Sequence, residues 1–293
     1  MAGAKNPPFL RVLLAAGALA VLVAACGQSA TQSSAPVSAP ASPPARPPIA
    51  VTLSSQPSGT ATFSWNPQTK NVSVRLQMAG FTPGSSHAMH IHQGSCTAQG
   101  AVLVAFPDVT ADEHGVIDTT VTGLQPSPAG VAAGTLLNIH LASGAELGDP
   151  GSLGYTPISC ANTAPGASTT VTMAPLPQPG QHPQGSATLM YNPAKKTLSV
   201  TVNASGLLAG SVHAVDIHSG SCESQGPVKY PLSDVTASPT GATAATTLFE
   251  DVDELPPASG WYLSVHLGSN SQIEQNGQPA LAFDPIMCGN IGK

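Results

Sequence analysis

The sequence predicts an all-β chain of two tandem antiparallel domains, each a β-barrel or β-sandwich, preceded by an export signal and a tether. Composition is the first reason. Only 8% of the residues are charged, and the 293 residues include 29 Gly and 29 Pro, which is typical of turn-rich β proteins. The second reason is a series of short segments in which apolar and polar residues alternate between turn residues. The third is a histidine pattern that recurs at a constant offset, which indicates a duplicated unit.

Residues 1–26 resemble a bacterial lipoprotein signal. Lys5 and Arg11 give a positive start, and the apolar stretch Val12–Ala25 is shorter than the roughly 20 residues that span a bilayer. Small residues precede Cys26, as in a lipobox, so we expect Cys26 to be lipidated and to begin the mature chain. A plain signal peptide or an anchor helix is the alternative. The predicted location is the cell envelope, outside the cytoplasmic membrane and held to it by acyl chains.

Residues 27–47 are rich in Ser, Ala, Pro and Gln, and predict a disordered tether because they cannot bury enough apolar surface to fold. The remaining stretch of about 245 residues suits two domains. We place the first domain at 48–163 and the second at 164–293. The Pro/Gly/Thr-rich stretch 163–185 is expected to hold the linker and the first strand of the second domain.

Two matching strand pairs support this division. Thr60–Trp65 alternates before a turn at Asn66-Pro67, and Ala187–Tyr191 does so before Asn192-Pro193. Each turn leads into a second alternating strand, whose apolar side chains we expect in the core. These are Val72, Val74 and Leu76 in the first domain, and Leu198, Val200 and Val202 in the second. Trp65 and Trp261 are also expected to be core residues.

Five cysteines fit an exported chain in which Cys26 is the unpaired one. The other four allow three pairings. The pairing Cys96–Cys160 with Cys222–Cys288 is favoured, because each domain then closes its own bridge.

The acidic balance limits the partners. The formal net charge is −6, and loss of residues 1–25 with their two basic residues would make it about −8. There is no basic patch for nucleic acid. An acidic chain is not attracted to anionic lipid either, so we expect the acyl chains alone to hold it at the membrane.

The repeated pattern consists mainly of histidines, and imidazole is the commonest metal ligand at neutral pH. His87, His90, His92, Cys96 and His140 recur about 126 residues later as His213, Asp216, His218, Cys222 and His266.

The first copy predicts a metal site. Successive side chains of a strand point to opposite faces, so His90 and His92 share one face, while Met89 and Ile91 face the core. His140 also faces away from apolar neighbours on a separate strand. Three imidazoles suit copper or zinc; export favours copper as a redox metal, although the spacing does not choose.

In the second copy, Asp216, His218 and His266 predict a weaker metal site with harder donors, or a site kept only for structure. His87 lies on the opposite face from His90 and His92. We therefore expect His87, and by the repeat His213, to be hydrogen-bonding residues behind the ligands.

The residues of the pattern resemble copper/zinc superoxide dismutases. His87–His92 with Gly94–Cys96 is similar to the H-G-F-H-x-H…C segment of that family, and Asp108–Val116 to a later turn. Leu137–His140 resembles the strand with the third copper histidine, and Ile286–Gly292 the closing C-G-x-x-G segment.

This resemblance implies a Greek-key β-barrel in each unit, and it agrees with the disulfides within each domain. It also implies copper ligation by His90, His92 and His140, with a structural role for His87.

Two departures from that family bear on activity. The segment Thr97–Pro107 has no histidine, so the zinc site and the bridging histidine are absent and zinc is not the expected cofactor. Pro157 and Pro285 stand where the family has an arginine that guides superoxide, so nothing cationic is expected to steer an anion.

The short segment fits a second, related resemblance, to the CHRD module. Its H-x-H-x-G…G-x-V pattern is matched by Gln99–Val102 and Gln225–Val228, and its late V-H strand by Val265-His266 and, less closely, Ile139-His140. Three functions follow as hypotheses. They are a copper-dependent enzyme acting on superoxide, a copper-binding module without turnover, and a structural envelope module.

Overall fold

The structure is a computed structural model that describes residues 47–124, 133–164, 168–175, 182–254 and 256–292. The predicted signal peptide, Cys26 and residues 27–46 of the predicted tether lie outside the described residues. Among the residues that are described, no helix is both long and apolar enough to cross a membrane.

The described chain is almost entirely β-structure, as predicted. Its strands in chain order are β1 (Ile49–Ser55), β2 (Ser58–Asn66), β3 (Asn71–Ala79), β4 (Ser86–His87), β5 (Met89–Ser95), β6 (Ala98–Ala105), β7 (Val109–Thr110), β8 (Val116–Leu124), β9 (Thr135–His140), β10 (Pro157–Asn162), β11 (Ser168–Pro175), β12 (Gln184–Asn192), β13 (Thr197–Ser205), β14 (Val212–His213), β15 (Val215–Ser221), β16 (Ser224–Pro231), β17 (Val235–Thr236), β18 (Thr243–Phe249), β19 (Trp261–His266), β20 (Glu274–Gln275), β21 (Gln278–Pro279) and β22 (Pro285–Ile291). A short 3₁₀ helix spans Leu281–Phe283.

The long strands form two eight-stranded sheets, each curled into a half-barrel. The first sheet has the order β6-β5-β9-β10-β11-β2-β3-β8, and the second has the order β16-β15-β19-β22-β1-β12-β13-β18. Neighbouring strands are antiparallel throughout both sheets.

The sheets do not follow the predicted sequence boundaries, because the first strand of each repeat lies in the sheet of the other. β1 sits between β22 and β12 of the second sheet, where Val51 pairs with Ala187. β11 sits between β10 and β2 of the first sheet, where Val171 pairs with Ala61. The repeats offer equivalent slots, and β11, which follows β10 in the chain, pairs with it at Ser159 and Cys160. The slot in the second sheet is filled by β1.

Alternation places the predicted core residues inside the half-barrels. Along β3, Val72, Val74 and Leu76 are fully buried while their neighbours are not, and Leu198, Val200 and Val202 are buried in the same way on β13. Trp261 is also a core residue, whereas Trp65 is partly buried against the core.

Polar and apolar contacts join the two halves. Leu267 packs against both cores. The Gln225 amide donates to the His114 carbonyl at 3.0 Å, and the Thr82 amide and hydroxyl both donate to the buried Asp284 carboxylate at 3.3 Å.

Both favoured disulfides are present. Cys96–Cys160 joins the end of β5 to β10, and Cys222–Cys288 joins the end of β15 to β22. Each bridge is supported by an Asn side chain that accepts the amide of the first cysteine: Asn162 for Cys96 and Asn290 for Cys222.

Candidate metal centres

Two adjacent strands bring the three predicted histidines together in a cluster that we call site one (His90, His92 and His140). β5 pairs with β9 in a register that sets His90 opposite Asn138, and His140 ends β9. One nitrogen from each ring lies within 4.8 Å of the others. His92 and His140 are buried and His90 is half-buried.

Backbone carbonyls fix which nitrogen each buried ring presents. His92 Nδ1 lies 2.9 Å from the Gly100 carbonyl, and His140 Nδ1 lies 2.7 Å from the Tyr155 carbonyl. A carbonyl only accepts, so each Nδ1 carries the proton and each Nε2 keeps its lone pair. These two Nε2 atoms and His90 Nδ1 are buried and have no hydrogen-bond partner in the part of the chain that the structure describes, so all three are available to bind a metal.

Burial also favours the neutral form of His90 and His140. Burial, and then the neighbouring His140 and His92, lower the pKa of His90 to about 4, while Asp108 acts in the opposite direction. The pKa of His140 is lowered as well, chiefly by burial. Neutral imidazole is the form that binds metals, so the cluster is ready for a cation at neutral pH.

His87 lies behind the ligands. Its Nδ1 is 3.0 Å from the carbonyl of His140, and its Nε2 is 2.6 Å from the Ser85 hydroxyl. Burial lowers the pKa of this ring to about 4. His213 repeats the arrangement with the His266 carbonyl at 2.8 Å and the Ser211 hydroxyl at 2.6 Å. Both rings therefore contact the backbone of a ligand strand.

The second cluster, which we call site two (Asp216, His218 and His266), stands on the equivalent strands β15 and β19. Its ligand atoms also lie within 4.8 Å of one another, and all three side chains are buried. His218 Nδ1 lies 2.9 Å from the Gly226 carbonyl, and His266 Nδ1 bonds to the Phe283 carbonyl. Asp216 Oδ2 lies 3.2 Å from His266 Nε2.

Aromatic rings cover site two more fully than site one. The Phe283 ring lies 4.4 Å from His266, and Tyr262 stacks on His218 with centroids 4.8 Å apart and planes 19° apart. In site one, Tyr155 contacts His140 at 4.8 Å. His90 remains half-exposed, so site one is the more open of the two.

Sequence reasoning predicted both clusters, but it missed the carbonyl acceptors. Gly100 and Gly226 had a signal, since both stand in the repeated Gln-Gly pattern. A Cβ on either residue would meet a backbone carbonyl at 2.9 or 2.5 Å, so only glycine fits there. The carbonyls of Tyr155 and Phe283 had a signal as well, since each residue begins an aromatic-x-Pro-Ile-x-Cys segment, Tyr155–Cys160 and Phe283–Cys288.

A comparison with known protein families identifies the repeat. The model of the CHRD domain matches residues 37–147 and again 164–278. The chain belongs to the CHRD domain family. Each match contains one complete cluster, site one in the first CHRD domain and site two in the second. The predicted tandem CHRD pair is thereby confirmed, whereas the match gives no support to membership of the superoxide dismutase family. No curated protein matches the chain.

Proposed function

We propose that this tandem CHRD protein is a copper-binding module that works without turnover, with copper held at site one. The observation that supports this most strongly is the set of three imidazoles with one nitrogen each, all within 4.8 Å of one another and without a hydrogen-bond partner among the described residues. Three nitrogen donors with no carboxylate suit Cu(I) and Cu(II) well, and Cu(II) stands highest among the divalent metals in affinity for such sites.

The proposed place of action is the outer face of the cytoplasmic membrane. The lipobox-like sequence before Cys26 supports acylation there, and the 27–47 tether would hold the folded part away from the lipid. Globomycin treatment of cells that make the full chain tests this, since an acylated precursor would accumulate at higher mass. A mature chain whose mass lacks acyl groups would contradict it.

Copper titration of the purified chain tests the site. We expect one Cu(I) equivalent at site one, lost in His90→Ala, which removes a half-buried ring whose Nδ1 makes no hydrogen bond within the described ranges. His114→Ala is the matched control, because this ring is about half exposed and belongs to neither cluster. Absence of saturable binding, or equal binding by His90→Ala, would leave a structural envelope module as the function.

Superoxide consumption is the second candidate, favoured by the opening of site one at His90. Copper, when bound, supplies the one-electron chemistry for it. Asp108 opposes it, because its negative charge acts on His90 and would repel an anion. We would compare the copper-loaded chain with a His90→Ala, His92→Ala variant in a superoxide assay. Equal rates would eliminate this activity.

A further inference from the structure

We infer that site two is a divalent-cation site in its own right, which takes a first-row divalent ion such as Zn(II) and discriminates against Cu(I). This inference is independent of copper binding at site one, because it depends on different residues of the second CHRD domain.

The two imidazoles of site two are oriented by the backbone. His218 and His266 each have Nδ1 against a backbone carbonyl, so both Nδ1 atoms carry protons, and in the neutral rings the lone pairs are on the two Nε2 atoms. These Nε2 atoms are buried and make no hydrogen bond to any residue that the structure describes. The backbone therefore presents two bare nitrogen donors to one point.

The carboxylate of Asp216 lies beside these imidazole nitrogens. Asp216 Oδ2 lies 3.2 Å from His266 Nε2, so two lone pairs face each other in a buried space. That contact is repulsive unless a proton or a metal ion lies between the two atoms.

The unpaired nitrogen of His218 distinguishes a proton from a metal ion as the occupant of this contact. A proton between Asp216 and His266 would leave His218 Nε2 buried and unpaired, at the usual cost of an unsatisfied polar group. A divalent ion bonds all three atoms and neutralises the buried carboxylate. Among the described residues, no lysine or arginine pairs with Asp216; Lys229 pairs with Glu254 and Lys196 with Asp253.

The donor set of site two indicates which ion it prefers. Two imidazoles and one carboxylate form the donor set of many zinc and non-haem iron sites. Cu(I) prefers soft or all-nitrogen ligands, so exchange of a histidine for Asp216 lowers the relative affinity for Cu(I). The two clusters therefore differ in their preferred metal by one side chain.

The ion also has a way in. His218 lines one cavity of about 570 Å³, and Asp216 lines another of about 260 Å³. Phe283, whose ring lies 4.4 Å from His266, lines both cavities. Either cavity brings solvent close to the ligand atoms.

The test uses the full chain with site one disabled by His90→Ala and His92→Ala. We expect one Zn(II) equivalent, and Co(II) in its place should give the visible absorption of a low-coordinate nitrogen and oxygen site. Asp216→Asn keeps the shape but removes the charge, and should weaken Zn(II) binding at least 100-fold. Asp216→His should instead raise Cu(I) binding at least tenfold.

Three results would overturn the inference. The first is no Zn(II) or Co(II) binding while nitrogen-15 NMR shows His266 as a doubly protonated ring, which would mean that a proton occupies the contact. The second is Zn(II) affinity unchanged in Asp216→Asn, with circular dichroism showing the same fold. The third is Cu(I) binding unaffected by Asp216→His. None of these measurements depends on site one, so a failure of copper binding at site one can be told apart from a failure of divalent-cation binding at site two.

Discussion

Site one and site two share the same arrangement of strands and backbone acceptors, and they differ in one donor side chain. In each site, one strand carries two candidate ligands at alternate positions, and the neighbouring strand ends in a histidine. In each site, the carbonyls of a glycine and of an aromatic loop residue also accept the buried Nδ1 protons. Only His90 and Asp216 differ among the ligands. The fold therefore fixes the direction of the donors, while a single side chain sets their charge and hardness.

The two sheets offer a second comparison, because each depends on a strand from the other repeat. The largest expected effect follows from Leu53→Asp. Leu53 is about 1% exposed in β1, within the core of the second sheet. A charge buried there should cost more than about 4 kcal/mol of unfolding free energy.

Amide hydrogen exchange would locate that damage. Protection should be lost first in β12 and β22, although β1 belongs by sequence to the first repeat. Thr52→Asp, on the exposed face of the same strand, is the control and should cost less than about 1 kcal/mol. Loss of protection in β2 and β3 instead would show that β1 does not stabilise the second sheet.

The disulfides should contribute equally to the two halves. Their loops close over sequence separations of 64 and 66 residues, so loop entropy gives each about 4 kcal/mol. Denaturant titrations of Cys96→Ala, Cys160→Ala and of Cys222→Ala, Cys288→Ala test this. A difference of more than about 2 kcal/mol between the two variants would show that one half does not depend on its bridge in this way.

The second half has a buried acid outside site two that the first half lacks, and this acid gives a pH-dependent prediction. The Asp284 carboxylate accepts hydrogen bonds from Thr82. Thr156 is its equivalent in the first half, because the Asp284 carbonyl accepts the amide of Leu267 and the Thr156 carbonyl accepts the amide of Leu141. Burial raises the pKa of Asp284 to about 7, so between about pH 4 and 7 the folded chain holds a proton that the unfolded chain releases. This group makes stability fall as pH rises.

The buried histidines act with the opposite sign. Burial lowers the pKa of His87 and of His218 to about 4, so the unfolded chain binds their protons first as pH falls below about 6.5. The metal-free chain should therefore lose stability between pH 6.5 and 4. Asp284→Asn removes the opposing proton and should steepen that fall by about 1.4 kcal/mol per pH unit. Denaturation midpoints across this range measure it, and an unchanged slope would refute the role of Asp284.

The smallest expected effect concerns the outer faces of the sheets. Arg75 pairs with Asp118 across β3 and β8, whereas the equivalent residue Thr201 bonds to Thr246 through hydroxyl groups 2.9 Å apart. Arg75→Thr should cost less than about 1 kcal/mol, and less still in high salt, because both charged groups are partly exposed. The control Thr201→Ala should show no dependence on salt. A salt-independent loss on changing Arg75 would contradict the electrostatic origin.

The sequence was sufficient for the all-β class, the repeat and the residues that form each cluster. Strand parity alone placed His90 and His92 on one face and Met89 and Ile91 in the core, because the side-chain period of a strand is two. The exchange of β1 and β11 could not be predicted in this way. The two slots are equivalent in hydrophobic pattern, so the choice depends on connection length and long-range pairing.

The contact between Asp216 and His266 was also beyond sequence reasoning. Pattern shows that the two side chains share a site, but the distance depends on the register between β15 and β19 and on the loop that holds Phe283. Local patterns identified the donors, and tertiary contacts set their orientation.

The exchange of β1 has a mechanical consequence. Tension applied to the chain ahead of Ile49, as an attachment at the amino end would apply it, reaches the second sheet before the first. There β1 lies between two neighbours, β22 and β12, so it must slide past hydrogen-bonded partners on both sides rather than peel from an edge. The CHRD domain that is farther from the amino terminus in sequence is therefore the first to resist the pull.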